Sequence, residues 1–236
     1  MKLLILILAV LVSVNLYAQD VRDDVETPLG SNVVAWRTEE ASDATNEYWD
    51  DYFATAYPNA VQITTYFPYS SSRRFNCHSY AWHMMSIAGG FDYDDPRWIG
   101  YYPGNTDEHV YWTDGSYKEV ASEIYPGKVS WASGDHSAIT TSTSGVFISK
   151  WNQYPLMEHD WDDSPFGSSN LKYYKLCYEE ITDDITSDLT KQACKLLIKD
   201  VTIQNNAHVE IDVEDWIKIE GPFNTTSGTT LDIQPY

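Results

Sequence analysis

The residues best placed for chemistry are one cysteine and one histidine, about sixty positions apart. Cys77 follows Arg73-Arg74-Phe75-Asn76, and the stretch from Cys77 onward reads as a helix with Asn76 as its N-cap. A helix N-terminus offers unpaired N–H groups and a partial positive charge, which favour thiolate over thiol. His136 lies in Gly134-Asp135-His136-Ser137-Ala138-Ile139 and opens a predicted strand. An imidazole beside the sulfur would lower the thiol pKa and later hand a proton to a leaving group. Such a pair needs a third polar group to orient the imidazole. Ser149 and Asn152 fall 12 to 18 residues past His136, and Glu158 and His159 lie a little further on. Asn152 has the side chain best suited to hold an imidazole, with His159 next.

The elements that must position these residues are legible in outline. Residues 47–57 predict a short helix stopped by Pro58, and residues 61–66 alternate as a strand does. The cysteine-bearing helix is expected to end at Gly89-Gly90. Residues 91–117, rich in Trp, Tyr, Gly, Pro and Asp, read as a long loop. Strands follow at 127–131, 136–141 and 145–151, then a loop-like 154–165 and a closing strand at 171–176. Residues 19–45 read as an acidic lead-in, 46–178 as the main domain and 179–194 as an acidic linker. Residues 195–236 read as a small β-rich segment with no tandem repeat.

Three blocks carry a resemblance: Asn76-Cys-His-Ser-Tyr-Ala-Trp82, Gly134-Asp-His-Ser-Ala-Ile139 and Ile148-Ser-Lys-Trp151. Together they resemble the NlpC/P60 and CHAP group of papain-like cysteine peptidases and amidases, over roughly residues 61–176. The resemblance implies an α+β fold: a papain-like core with a Cys-bearing helix packed on an antiparallel sheet, plus a small all-β C-terminal appendage. It implies a hydrolase that cleaves an amide bond, with bacterial cell-wall peptide as first-guess substrate. Cys77 would be nucleophile, His136 base and then acid, and Asn152 the orienting group, without a cofactor or metal. The sequence departs from the group at His78-Ser79-Tyr80, where Ser-Gly-Phe or similar is usual. The end of the chain, with Gly221-Pro-Phe223 and Ser227-Gly228, resembles short β-stacking segments of secreted bacterial surface proteins.

Address and composition bound the rest. Met1-Lys2, an apolar run from Leu3 to Val12 and a small residue at Ala18 have the three parts of a secretory signal peptide. The expected mature chain is secreted, periplasmic or at the cell surface. Cys77, Cys177 and Cys194 leave one thiol over if a disulfide forms. The nearness of Cys177 and Cys194 favours their pairing, and then Cys77 is the free thiol. A net charge of −20 argues against nucleic acid and anionic membrane surfaces as partners, since both demand basic patches. His78 and His83 lack the i,i+4 spacing of zinc helices, and Asp92, Asp94 and Asp95 lack the glycine and glutamate of an EF-hand. Asp160, Asp162 and Asp163 are a second acidic loop of the same kind. The rival to the enzyme is an inactive secreted binding module, whose Trp/Tyr-rich loop from Trp98 to Trp112 holds glycan or peptide.

Overall fold

A computed structural model describes residues 20–65, 68–86, 90–91, 95–100, 107–131, 135–167 and 170–235. The segment read as a signal peptide lies outside the described residues. Among the described residues, no helix is long and apolar enough to cross a membrane.

The chain is mostly strand, 42% against 13% helix, which corrects the expected α+β papain-like architecture with its Cys-bearing helix. The lead-in is itself structured. Val21–Arg22 (β1), Val25–Glu26 (β2), Asn32–Val33 (β3) and Ala35–Arg37 (β4) form two small sheets, because Val25, Val33 and Ala35 are buried. Helix α1, Asp43–Ala56, starts where Ser42 Oγ accepts the Thr45 N–H. It stops before Pro58, which disfavours helix at the residue ahead of it. Its buried Phe53 meets Trp151 edge to face at 5.4 Å. Val61–Gln62 (β5) follows.

Cys77 and His78 have helical conformation, but the hydrogen-bond pattern then widens into a π-helical turn, Ser79–Met84 (π1). No long helix grows from Cys77. Ser79 to Trp82 and Met84 are all buried, so the segment lacks the polar face that a surface helix keeps toward water. The backbone instead extends at Met85–Ser86 (β6), which pairs antiparallel with Gly90–Phe91 (β7). Gly90 thus sits in a hairpin strand, while Gly89 lies outside the described residues.

Trp98–Ile99 (β8) pairs with β4, and a short helix, Val110–Thr113 (α2), precedes the main sheet. That sheet is antiparallel and seven-stranded. Its strands are β5, Tyr117–Val120 (β9), Lys128–Trp131 (β10), Ser137–Thr140 (β11), Val146–Lys150 (β12), Leu156–Asp160 (β13) and Leu171–Leu176 (β14), in the order β5-β13-β12-β11-β10-β14-β9. Successive strand residues point to opposite faces. Ser137 and Ile139 face π1 and its core, while His136 and Ala138 face Trp131, Phe147 and Phe166.

Past Cys177 the chain winds in parallel coils. Tyr178–Ile181 (β15), Leu189–Lys199 (β16), His208–Glu220 (β18) and Thr230–Pro235 (β20) stack in parallel, as do Thr202–Ile203 (β17) and Asn224–Thr225 (β19). Residues 179–194, expected as a linker, therefore supply β15 and half of β16. Register pairs such as Leu196↔Ile217 and Val209↔Leu231 stack apolar side chains from coil to coil, and Leu196, Ile198, Val209 and Ile211 are buried in one cluster. Gly221 and Gly228 turn the coils with positive φ, where a Cβ would collide with Asp200 and Asn206 respectively. A disulfide joins Cys177 to Cys194, with Cα atoms 4.8 Å apart.

Candidate functional site

Cys77 is the free cysteine among the described residues and is buried. Asn76 positions it as expected of a cap: its Oδ1 accepts the Ser79 N–H at 3.0 Å, and its backbone carbonyl accepts from Tyr80 at 2.9 Å. Three backbone amides, those of Ser137, His78 and Cys77 itself, act on the sulfur and draw its pKa down. They are outweighed. Burial is the largest influence, the Glu108 carboxylate adds to it, and the thiol is pushed up to about 12.

His136 is fully buried and its pKa is driven well below the ordinary value, first by burial and then by His159 and His78. Its ring stacks on Phe166 with centroids 3.5 Å apart and meets Trp131 edge-on at 4.6 Å. Neither ring nitrogen has a hydrogen-bond partner among the described residues. The imidazole is therefore bonded to neither Cys77 nor Asn152. What the structure brings to the Cys77 sulfur is the amide of the next residue, Ser137.

Asn152 lies elsewhere. It occupies a left-handed turn (φ 64°), is exposed, and its Oδ1 accepts the Gln153 N–H at 2.8 Å. The other sequence candidates form a buried set of their own. His159 Nδ1 faces the Asp160 carbonyl at 2.7 Å, so Nδ1 carries the proton and donates. Its Nε2 then accepts from Ser149 Oγ at 2.8 Å, and Trp151 Nε1 donates to the same oxygen at 3.0 Å. Glu158, on the same strand, is exposed.

No protein-family model, curated protein or solved structure matches this chain.

Sequence reasoning missed several groups. His78 Nδ1 bonds Ser137 Oγ at 2.9 Å, and Trp82 Nε1 donates to the same hydroxyl at 2.9 Å. This repeats, on the other face of the sheet, the His159–Ser149–Trp151 arrangement. Lys150 is fully buried beneath Phe75, and its Nζ donates to the carbonyls of Ser72 (2.9 Å), Asn152 (3.0 Å) and Tyr154. Burial lowers its pKa to about 7. The alternation of Ile148-Ser149-Lys150 places Lys150 on the core side, but only the structure supplies carbonyls to receive it.

A surface cleft of about 440 Å³ lies beside these elements. Trp36, Trp98, Arg73, Asp20, Thr38, Asn152 and Gln153 line it. As for metals, His83 faces Asp95 at 3.4 Å, and Asp92 and Asp94 lie outside the described residues. The one clustered ligand set among the described residues is Cys177, Cys194 and Glu214, whose two sulfurs are committed to the disulfide.

Proposed function

We propose that this chain is an exported cysteine hydrolase that cleaves an amide bond, with bacterial cell-wall peptide as its substrate class. One observation carries the reading: a buried imidazole, His136, has no hydrogen-bond partner among the described residues, and the amide of the next residue acts on the Cys77 sulfur. A buried polar group left unsatisfied costs about 1–3 kcal/mol, and a catalytic role is one of the few reasons to keep one.

The chemistry suits a neutral pair. With the thiol near 12 and the imidazole well below its ordinary pKa, a resting thiolate–imidazolium pair is disfavoured. The thiol instead loses its proton to His136 as the sulfur–carbon bond forms, in the manner of a hydroxyl nucleophile, which requires the ring to leave its stack on Phe166 and reach the sulfur during turnover. His136 then gives that proton to the departing amine, and water releases the acid from the thioester. The amides of Cys77 and His78 are the local donors for the oxyanion. Export rests on the N-terminal sequence.

Release of new amino groups from purified peptidoglycan tests the reading. Wild type is expected to release them, and Cys77→Ala and His136→Gln to lose the activity by about a thousandfold or more. Equal release by wild type and Cys77→Ala would overturn it. A second reading, binding without turnover, is favoured by the deep burial of Cys77, only 6% exposed. It predicts no amine release from any variant and ligand binding indifferent to Cys77→Ala.

A further inference from the structure

We propose that the cleft between β4–β8 and the turn after β12 is a binding site for an uncharged saccharide. Trp36 and Trp98 are directly opposed across the β4–β8 pair, so their rings project from one sheet face into the cleft. Flat indole faces take the apolar C–H faces of pyranose rings, while amides, hydroxyls and charged groups bond the sugar hydroxyls at the rim. Here the rim is Asn152, Gln153, Thr38, Arg73 and Asp20. The cleft volume of about 440 Å³ falls within the range of small-ligand pockets.

The charge pattern selects an uncharged ligand. Arg73, the cation of the lining, is paired with Asp20 at 2.9 Å, so the cleft presents no unbalanced cation to a carboxylate or phosphate. The net charge of −20 repels polyanions further. The edge pattern disfavours an extended peptide. β8 is an edge strand, and a peptide adding to it would need the outward N–H and C=O of Ile99. Asn76 already holds both: its Nδ2 donates to Ile99 O at 2.8 Å, and its Oδ1 accepts from Ile99 N at 3.4 Å.

The walls are also fixed in advance, which reduces the ordering cost of binding. Ser72 N donates to Gln153 O at 3.2 Å, and Thr38 Oγ1 donates to Arg73 O at 2.7 Å. Lys150 ties the carbonyls of Ser72 and Asn152 together from below. The site stands whether or not Cys77 is a nucleophile, and Arg73 and Asn76 place it next to the cysteine in the chain.

Calorimetric titration of the chain lacking residues 1–18 with chitohexaose and cellohexaose tests the site. At least one is expected to bind with Kd below about 1 mM. Trp36→Ala and Trp98→Ala should weaken binding at least tenfold. Asn152→Gly, which keeps the left-handed turn, and Gln153→Ala should weaken it a few-fold while leaving the melting temperature unchanged. Binding of chitohexaose alone assigns the amides to acetamido groups, and binding of both assigns the indoles to bare pyranose faces. No binding of either sugar at millimolar concentration, or binding untouched by all four variants, overturns the proposal. Should the Trp variants misfold, the Asn152 and Gln153 variants decide it. Amide cleavage is read separately with Cys77→Ala, so either reading can fail alone.

Discussion

At the scale of single residues, three buried histidines set a pH dependence. His78 is held down to about 4, and His136 and His159 are lowered too, with burial the first cause in each. Each ring takes up a proton near pH 6.5 once the chain unfolds, so the unfolded state binds more protons below that pH. The histidines' contribution to stability is therefore full at pH 7 and lost as pH falls from about 6.5 toward 4, by up to about 1.4 kcal/mol per pH unit for each histidine. The depressed carboxylates Asp23, Asp24 and Glu214 contribute mainly below about pH 4.5, which leaves the window from 6.5 to 4.5 to the histidines. Denaturant midpoints at pH 7 and pH 5 should differ accordingly, and His78→Gln should reduce the slope by about one proton. A flat profile would mean that these rings are not buried neutral. Residue identities were partly legible beforehand. Asn76 caps through its side chain, and Cys77 is the thiol left over once Cys177 and Cys194 pair. The placement of His136 and Asn152 was not, because spacing along the chain does not reveal which sheet face a ring takes, nor that Asn152 enters a left-handed turn.

At the scale of elements, two tethers can be tested. The Cys177–Cys194 disulfide closes a loop with a sequence separation of 17 where β14 gives way to β15. In the chain-entropy account such a loop is worth about 3 kcal/mol. Replacing both cysteines with serine should lower the unfolding free energy by about that amount, and an unchanged denaturant midpoint would contradict it. Lys150→Met keeps the buried bulk but orphans the carbonyls of Ser72, Asn152 and Tyr154, which should cost about 2–4 kcal/mol. Chemical denaturation of that variant measures the loss, and a change below about 0.5 kcal/mol would show that water replaces the ammonium. Alternation exposed the strands β10, β11, β12 and β14 in the sequence. It missed β13, where neighbouring Leu156 and Met157 are both buried and break the period. It also missed β1 to β4, which are two or three residues long and form only because other parts of the chain cover them. The expected helix from Cys77 gave way to π1 because its residues are buried on every side.

At the scale of the whole molecule, the seven-stranded sheet and the parallel coils are joined by short polar contacts. Cys177 N donates to Ser116 O at 2.7 Å, Lys195 Nζ to Gly115 O at 3.0 Å, and Lys118 pairs with Glu214 at 2.7 Å. The coils repeat every 17 to 22 residues by register, yet their sequence shows no matching repeat, since the turns share only inward apolar positions. The elements around Cys77 bury it, keep its thiol protonated and leave His136 without a hydrogen-bond partner among the described residues, and the proposed hydrolase depends on these groups meeting during turnover. Mass spectrometry of the protein quenched during incubation with cell-wall peptide tests that most directly. An acyl adduct on the peptide carrying Cys77, removed by hydroxylamine and absent in Cys77→Ala, is the predicted result. Cleavage of substrate with Cys77 never acylated, or no cleavage by the wild type at all, would contradict it.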